Sequence, residues 1–307
     1  MTFVCEGCGA AAAPIPVLSA PPYDVVACAR CGLAATLPRI SAEESAALHG
    51  QDYFGPRGGR CFAAPVEAAI AASRSGRARR VAALLPPGGR VLDVGCGRGL
   101  MLRRLAARGF EAHGIDVSPL AGAMRTPPPG VRVRLGALAN LDWPDAHFDV
   151  VTFFHSLEHV VDLGRTLDAV ARLLRPGGAV VVAAPDSDSL QARLGVAAWF
   201  HLELPQHRHH FTPKTLAIAL ARRGLRVETV SRCSPEFDPI AVLQTALNRA
   251  GRPHNAFFDS LRGVRKAPLD LLLGAILTPA AAVAALAEYA LTGGGGTFEA
   301  VARRVVS

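Results

Sequence analysis

Beyond residue 89, short apolar runs of strand length at 90–94, 111–115, 131–135, 148–153 and 179–184 alternate with segments at 100–108 and 163–174 whose apolar residues recur at helical spacing. Strands alternating with helices predict an α/β fold with a parallel sheet covered on both faces. Upstream, the Ala-rich, Arg-dotted stretch 65–85 predicts a helix that Pro86-Pro87-Gly88-Gly89 stops, and Arg175-Pro176-Gly177-Gly178 closes the helix over 163–174. After Pro185 the pattern changes to a loop rich in His and aromatic residues (199–211), a helix over 213–223 and a strand over 225–230. The segment 297–305 reads as a last strand, pairing with 225–230. The chain between these two strands far exceeds a hairpin loop, so it forms an element of its own. Residues 1–40 hold only short apolar stretches broken by Pro14, Pro16, Pro21 and Pro22, as in a compact ribbon. The expected domains are therefore 1–40, a ribbon; 41–85, a helical lid or linker; and 86–307, the α/β domain with an insertion at 235–294.

The strand at 90–94 runs into Gly95-Cys96-Gly97-Arg98-Gly99 and a helix. Glycines there permit left-handed backbone angles and let a ligand approach without a Cβ in the way. Asp116 ends the next strand, where a carboxylate can accept both hydroxyls of a ribose.

Five ordered motifs carry a resemblance: Asp93-x-Gly95-x-Gly97-x-Gly99; Asp116; Phe148-Asp149-Val150-Val151; Leu157-Glu158-His159-Val160; and Leu174-Arg175-Pro176-Gly177-Gly178. Together, over roughly 80–230, they resemble the class I S-adenosylmethionine-dependent methyltransferases. The resemblance implies a Rossmann-like seven-stranded sheet and S-adenosyl-L-methionine as cofactor. It further implies that Gly95, Cys96, Gly97 and Gly99 pack against the methionine part, that Asp93 orients its amino group and Asp116 its ribose, and that Val117, Leu138 and Phe154 lie beside it. Where the family often carries an acidic adenine contact, this chain reads Gly136-Ala137-Leu138, which leaves backbone contacts around Leu138.

Transfer of a methyl group needs alignment and exclusion of water, and a hydroxyl acceptor must also lose a proton. Candidate groups are His155, Glu158 and His159 after the fourth strand, with His207 and His210 in the later loop. His209 belongs to the same loop group. Three readings stay open for them: structural hydrogen bonding, a general base, or a divalent cation, since HxxEH followed by a distant His is similar to metal-binding subfamilies of this superfamily. His113 and His201 read as ordinary surface or core positions. Tyr53 and Phe54 read as lid residues.

Cys5-x-x-Cys8-Gly9 and Cys28-x-x-Cys31-Gly32 read as two knuckles of a structural zinc site, the staple that a module with little core needs. Cys61, Cys96 and Cys233 are left unpaired. The chain carries 33 basic and 25 acidic residues, a formal charge of +8, but residues 1–40 balance Glu6 and Asp24 against Arg30 and Arg39. A neutral ribbon grips phosphate poorly, so nucleic acid is not favoured as a partner. Cysteine pairs of this kind suit a reducing compartment, and the first residues show no signal-peptide pattern, so a cytoplasmic protein is expected.

Residues 271–287 carry no charge, and Pro279 interrupts them. A single membrane crossing would strand the last strand on the far side, so two short helices meeting near Pro279 are expected. That hairpin reads as a dimer interface, a hydrophobic lid or a peripheral membrane anchor through 268–291, with Arg262, Arg265 and Lys266 beside it. The function expected is O-methylation of a small-molecule, sugar or lipid-linked acceptor. The alternatives are an RNA methyltransferase, a nucleotide-sugar C-methyltransferase and a cofactor-binding module without catalysis.

Overall fold

The structure is a computed structural model that describes residues 3–48, 75–118, 129–234 and 237–306. Its first part is the ribbon, with β1 (Phe3–Val4) paired to β2 (Ala11–Ala12), then β3 (Pro14–Ala20), β4 (Tyr23–Cys28) and β5 (Ala34–Leu37) in an antiparallel sheet. Helix α1 (Ala42–Leu48) and a helix α2 over 75–82 follow. Tyr53, Phe54, Cys61 and the first part of the helix expected over 65–85 lie outside the described residues.

The α/β domain comprises β6 (Arg90–Val94), α3 (Leu100–Ala106), β7 (Glu111–Asp116), β8 (Val131–Leu135), β9 (Phe148–Phe154), α4 (Leu163–Leu173), β10 (Leu174–Pro185), α5 (Leu190–Gly195), β11 (His209–His210), α6 (Pro213–Ala221), β12 (Leu225–Ser231), three insertion helices and β13 (Thr297–Arg304). Its seven strands run β12-β13-β10-β9-β6-β7-β8. Six run in one direction, five of them side by side, and β13 enters antiparallel between β10 and β12, so the sheet is mixed rather than parallel throughout. β10 starts at Leu174 rather than near 179, because Leu174 pairs with Phe148 ahead of a register shift that absorbs the Gly-Gly turn. The central strands are apolar on both sides: Val91 and Val150 pack toward α3, while Leu92, Val151 and Phe153 pack toward α4 and α6.

The insertion differs from the expected pair of short helices. It holds α7 (Asp238–Arg249), α8 (Ala256–Arg262) and one continuous helix, α9 (Pro268–Thr292), with Pro279 inside it. Proline removes the amide that would bond the Ala275 carbonyl and crowds the preceding turn. The helix continues through it, and Thr278 Oγ1 donates to the Gly274 carbonyl at 2.6 Å in the turn concerned.

Candidate active site

The cofactor end is built by the turn after β6. Gly95, Gly97 and Gly99 have φ of 78°, 50° and 61°, all left-handed. A Cβ on Gly95 would stand 2.5 Å from Ser156 Cβ, so the turn lies directly against the segment leaving β9. Asp93 is buried and accepts from Thr152 Oγ1 at 2.7 Å. The Asp116 carboxylate accepts the Gly97 amide on one oxygen at 2.8 Å and the Ser118 amide on the other at 2.9 Å, which fixes its plane; a carboxylate oxygen can still accept a second donor.

Beyond the turn lies a cavity of about 1200 Å³ whose wall includes Asp93, Gly95, Cys96, Gly97 and Phe154 on this side. Gly99, Asp116, Val117 and Leu138 stand off that wall: Gly99 caps α3, Asp116 lies behind the Gly97 amide, Val117 is exposed and Leu138 is buried in the core. Burial pushes the Cys96 thiol up, so it stays protonated against the Gly114 backbone.

The same cavity is lined by His155, Glu158, His159 and His207. His155 has φ of 54°, a strained angle for a residue with a side chain, and its ring packs on Phe237 with centroids 4.6 Å apart. Glu158 is 1% exposed, and neither carboxylate oxygen has a hydrogen-bond partner. The nearest ring nitrogen is Nδ1 of His155, 3.7 Å from Oε1, too long for a hydrogen bond. Burial pushes the Glu158 carboxyl up, but the rings of His155, His159 and His207 outweigh it and bring it down to about 2, so it is an anion.

The two other histidines are oriented by backbone carbonyls, which can only accept. His159 Nδ1 lies 3.1 Å from the Gln206 carbonyl and His207 Nδ1 2.7 Å from the His201 carbonyl. Both Nδ1 atoms therefore carry hydrogen, and when the rings are neutral both Nε2 atoms are bases. The rings meet edge to face at 4.6 Å, and ligand atoms of Glu158, His159 and His207 lie within 4.8 Å of one another, a set able to hold a metal ion.

His210 does not join them. It is buried off the cavity with Nε2 2.9 Å from Thr36 Oγ1, and burial with the neighbouring rings drives it to about 3, so it is neutral. Its partner belongs to the ribbon, as β11 pairs antiparallel with β5. His201, read from sequence as ordinary, does line the cavity, buried and with burial driving it well below its usual value. His254, Phe237 and Phe258 also line it from the insertion, and Arg77 from α2 lies over the rings of Phe154 and Phe237 at 5.1 and 5.5 Å. Only the spacing of aromatic residues within an insertion of unknown course could have pointed to these.

In the ribbon, Cys5 and Cys31 sulfurs are 3.5 Å apart and Cys8 and Cys28 sulfurs 3.7 Å, with all four thiols free. A tetrahedron with Zn–S bonds of about 2.3 Å has edges of about 3.8 Å, so the four sulfurs fit one zinc ion. Gly9 and Gly32, both left-handed, send their amides back to the carbonyls of Cys5 and Cys28 at 2.7 and 2.9 Å, closing each knuckle.

The ribbon also holds the histidine loop. Thr36 Oγ1 donates to the His207 carbonyl at 2.6 Å and its amide to the Arg208 carbonyl at 3.1 Å; Arg39 donates to the same Arg208 carbonyl at 2.8 Å. Glu6 accepts from Arg39 at 3.0 Å and from the Leu163 amide at 2.6 Å; burial raises its carboxyl, but His209 and Arg39 bring it down to about 2.

Comparison with known proteins agrees with this geometry. Residues 69–230 match the family described as a methyltransferase domain. A ubiquinone biosynthesis O-methyltransferase of Xanthomonas axonopodis pv. citri (strain 306) is 35% identical over 162 residues, 49% of this chain and 68% of that protein. Across several such relatives the matched region covers 63 to 69% of their length. Among solved structures, phosphoethanolamine N-methyltransferase 2 of Haemonchus contortus with S-adenosyl-L-methionine superposes with a TM-score of 0.51 at 16% identity, over 76% of this chain and 53% of that one. A Galdieria sulphuraria structure described as a sarcosine dimethylglycine methyltransferase gives 0.51 at 13%, over 85% and 98%. At such identities the likeness is one of fold. A glycine turn leading to a buried acidic strand end, on a seven-stranded sheet closed by an antiparallel β13, and a family match over more than half the chain lead to one conclusion: this chain belongs to the class I S-adenosylmethionine-dependent methyltransferases.

Proposed function

We propose that the chain methylates a hydroxyl of a small-molecule acceptor, and that the Glu158, His159 and His207 cluster takes the hydroxyl proton. The observation carrying this is a carboxylate buried without a hydrogen-bond donor beside two imidazoles whose Nδ1 atoms are committed to carbonyls. The relatives named above act, by name, on oxygen in ubiquinone biosynthesis, which supports an oxygen acceptor here.

When bound, S-adenosylmethionine supplies a sulfonium methyl open to in-line displacement. Asp93 and the left-handed turn would hold its amino-acid end, and Asp116, set behind the Gly97 amide, would accept ribose hydroxyls. His207 or His159 accepts the acceptor's proton on Nε2 as the oxygen takes the methyl group. Glu158 stabilises the imidazolium that results, a buried anion facing a new cation. Phe154, Phe237 and Phe258 give the cavity apolar walls that exclude water.

The same three side chains suit a divalent cation, which would lower the hydroxyl pKa instead. Loss of turnover in chelator, restored by added Mg²⁺ or Mn²⁺, favours that form of the site. The four ribbon cysteines are read as holding a structural zinc ion. Glu158→Gln is isosteric, and we expect it to cut turnover by about a hundredfold or more while calorimetric cofactor binding is kept. Unchanged turnover would remove the cluster from the reaction.

A further inference from the structure

Helix α9 touches the protein along a narrow strip. Asp270, Gly274, Ala281, Ala285 and Glu288 are buried, and a Cβ on Gly274 would collide with the Phe257 ring. The rest faces outward: Leu269, Leu272, Ile276, Val283, Leu286 and Leu291 are 50, 59, 63, 67, 69 and 81% exposed. At about 100° per residue these positions, with exposed Leu271, Leu277 and Tyr289, spread over more than half the helix circumference.

Both acids of the helix are turned inward. Asp270 accepts Arg252 at 2.9 and 3.0 Å, and Glu288 accepts Gln191 at 2.6 and 3.1 Å. No charge faces outward along the apolar surface from 271 to 287. The helix is long and apolar enough to cross a membrane, with a mean hydropathy of 2.0. It does not cross alone, because the chain leaves β12 and returns to β13, and those strands are paired. It must therefore lie along whatever covers it.

We infer that α9 beds into the interfacial layer of an anionic phospholipid bilayer. A second copy packed helix to helix would cover one stripe of the arc and leave the remainder wet, whereas a bilayer surface covers a broad apolar arc. Charge points the same way. Exposed Arg265 and Lys266, with Arg262 and exposed Val264, stand at the N-terminal end of α9, suited to anionic headgroups. Arg262 and Val264 also line the cavity, so its wall meets the docking surface. The inference thereby deepens the proposed function, on which its second half rests: the acceptor is a hydroxyl compound carried on a membrane lipid.

The test is flotation of the full chain with vesicles of phosphatidylcholine alone or mixed with phosphatidylglycerol. We expect binding to the mixed vesicles that weakens with salt. Combined Leu272→Asp, Ile276→Asp and Val283→Asp alter only exposed side chains and should lower partitioning by about tenfold or more, with circular dichroism and calorimetric cofactor affinity unchanged. Arg265→Glu with Lys266→Glu should remove the preference for phosphatidylglycerol. The inference is overturned if the wild-type chain stays unbound on both vesicle types, if the triple variant floats as well as wild type, or if the chain is a dimer that the triple variant dissociates without any vesicle binding. Cofactor calorimetry without lipid separates the two claims: vesicle binding with no cofactor affinity would sink the methyltransferase function and leave the docking intact.

Discussion

Asp116 and Glu158 are buried acids with opposite surroundings. Asp116 is fixed by two backbone amides, so its carboxylate is already oriented before a ligand arrives, which lowers the ordering cost of binding. Removing it as Asp116→Ala should weaken cofactor binding by about tenfold or more in calorimetry, the value of hydrogen bonds to a charged acceptor; unchanged affinity would deny it the ribose. Glu158 has no hydrogen-bond donor, and the rings of His155, His159 and His207 act on it. Both positions were legible in the sequence because each ends or follows a strand at the C-terminal edge of the sheet, where side chains meet ligands. His210 was misread as a cavity residue because its partner, Thr36, is distant in sequence. His201 was missed because the folding back of the insertion, rather than any local pattern, sets it in the wall.

Strands and helices of the α/β domain were legible from their periods, while their partners outside it were not. The ribbon could be read as a zinc module from its cysteine pairs, yet nothing in that spacing shows β5 extending through β11 to hold the His207 carbonyl. Consequently Cys28→Ser should lose the bound zinc, expected at about one per chain. It should also raise hydrogen exchange at the amides of Thr36, which donates to the Arg208 carbonyl, and of His210, which pairs with Ala34, by about tenfold or more. Full zinc retention, or exchange unaltered after zinc loss, would break the link between ribbon and loop. Pro279 was over-read as a stop, because apolar helix on both sides of it outweighs one lost hydrogen bond.

The base of the insertion is closed by Asp238, which accepts the Ser234 and Gly296 amides at 2.8 and 3.0 Å. Burial and nearby Glu288 raise its carboxyl from 3.8 to about 6 against the lowering effect of those amides. The folded chain thus binds this proton more tightly than the unfolded chain does. Its stabilisation is complete below 3.8 and is lost as pH rises through about 6. As pH rises across that window the melting temperature of wild type should lose ground relative to that of Asp238→Asn, and parallel curves would refute the assignment.

At the scale of the whole molecule, three pieces converge on one cavity: the sheet edge brings Asp93 and Glu158, the ribbon-held loop brings His207, and the insertion brings Phe237 and Phe258. Sequence periodicity could establish the sheet but not this convergence, since it depends on how the ribbon and insertion fold back onto the sheet. The most direct measurement gives purified wild-type and Glu158→Gln chains methyl-labelled cofactor with separate lipid and aqueous cell extracts, and identifies the labelled product. The account predicts a methyl ether from the lipid fraction with wild type, and almost none with the variant although it binds cofactor equally. Label on carbon or nitrogen, or equal labelling by both proteins, would contradict it.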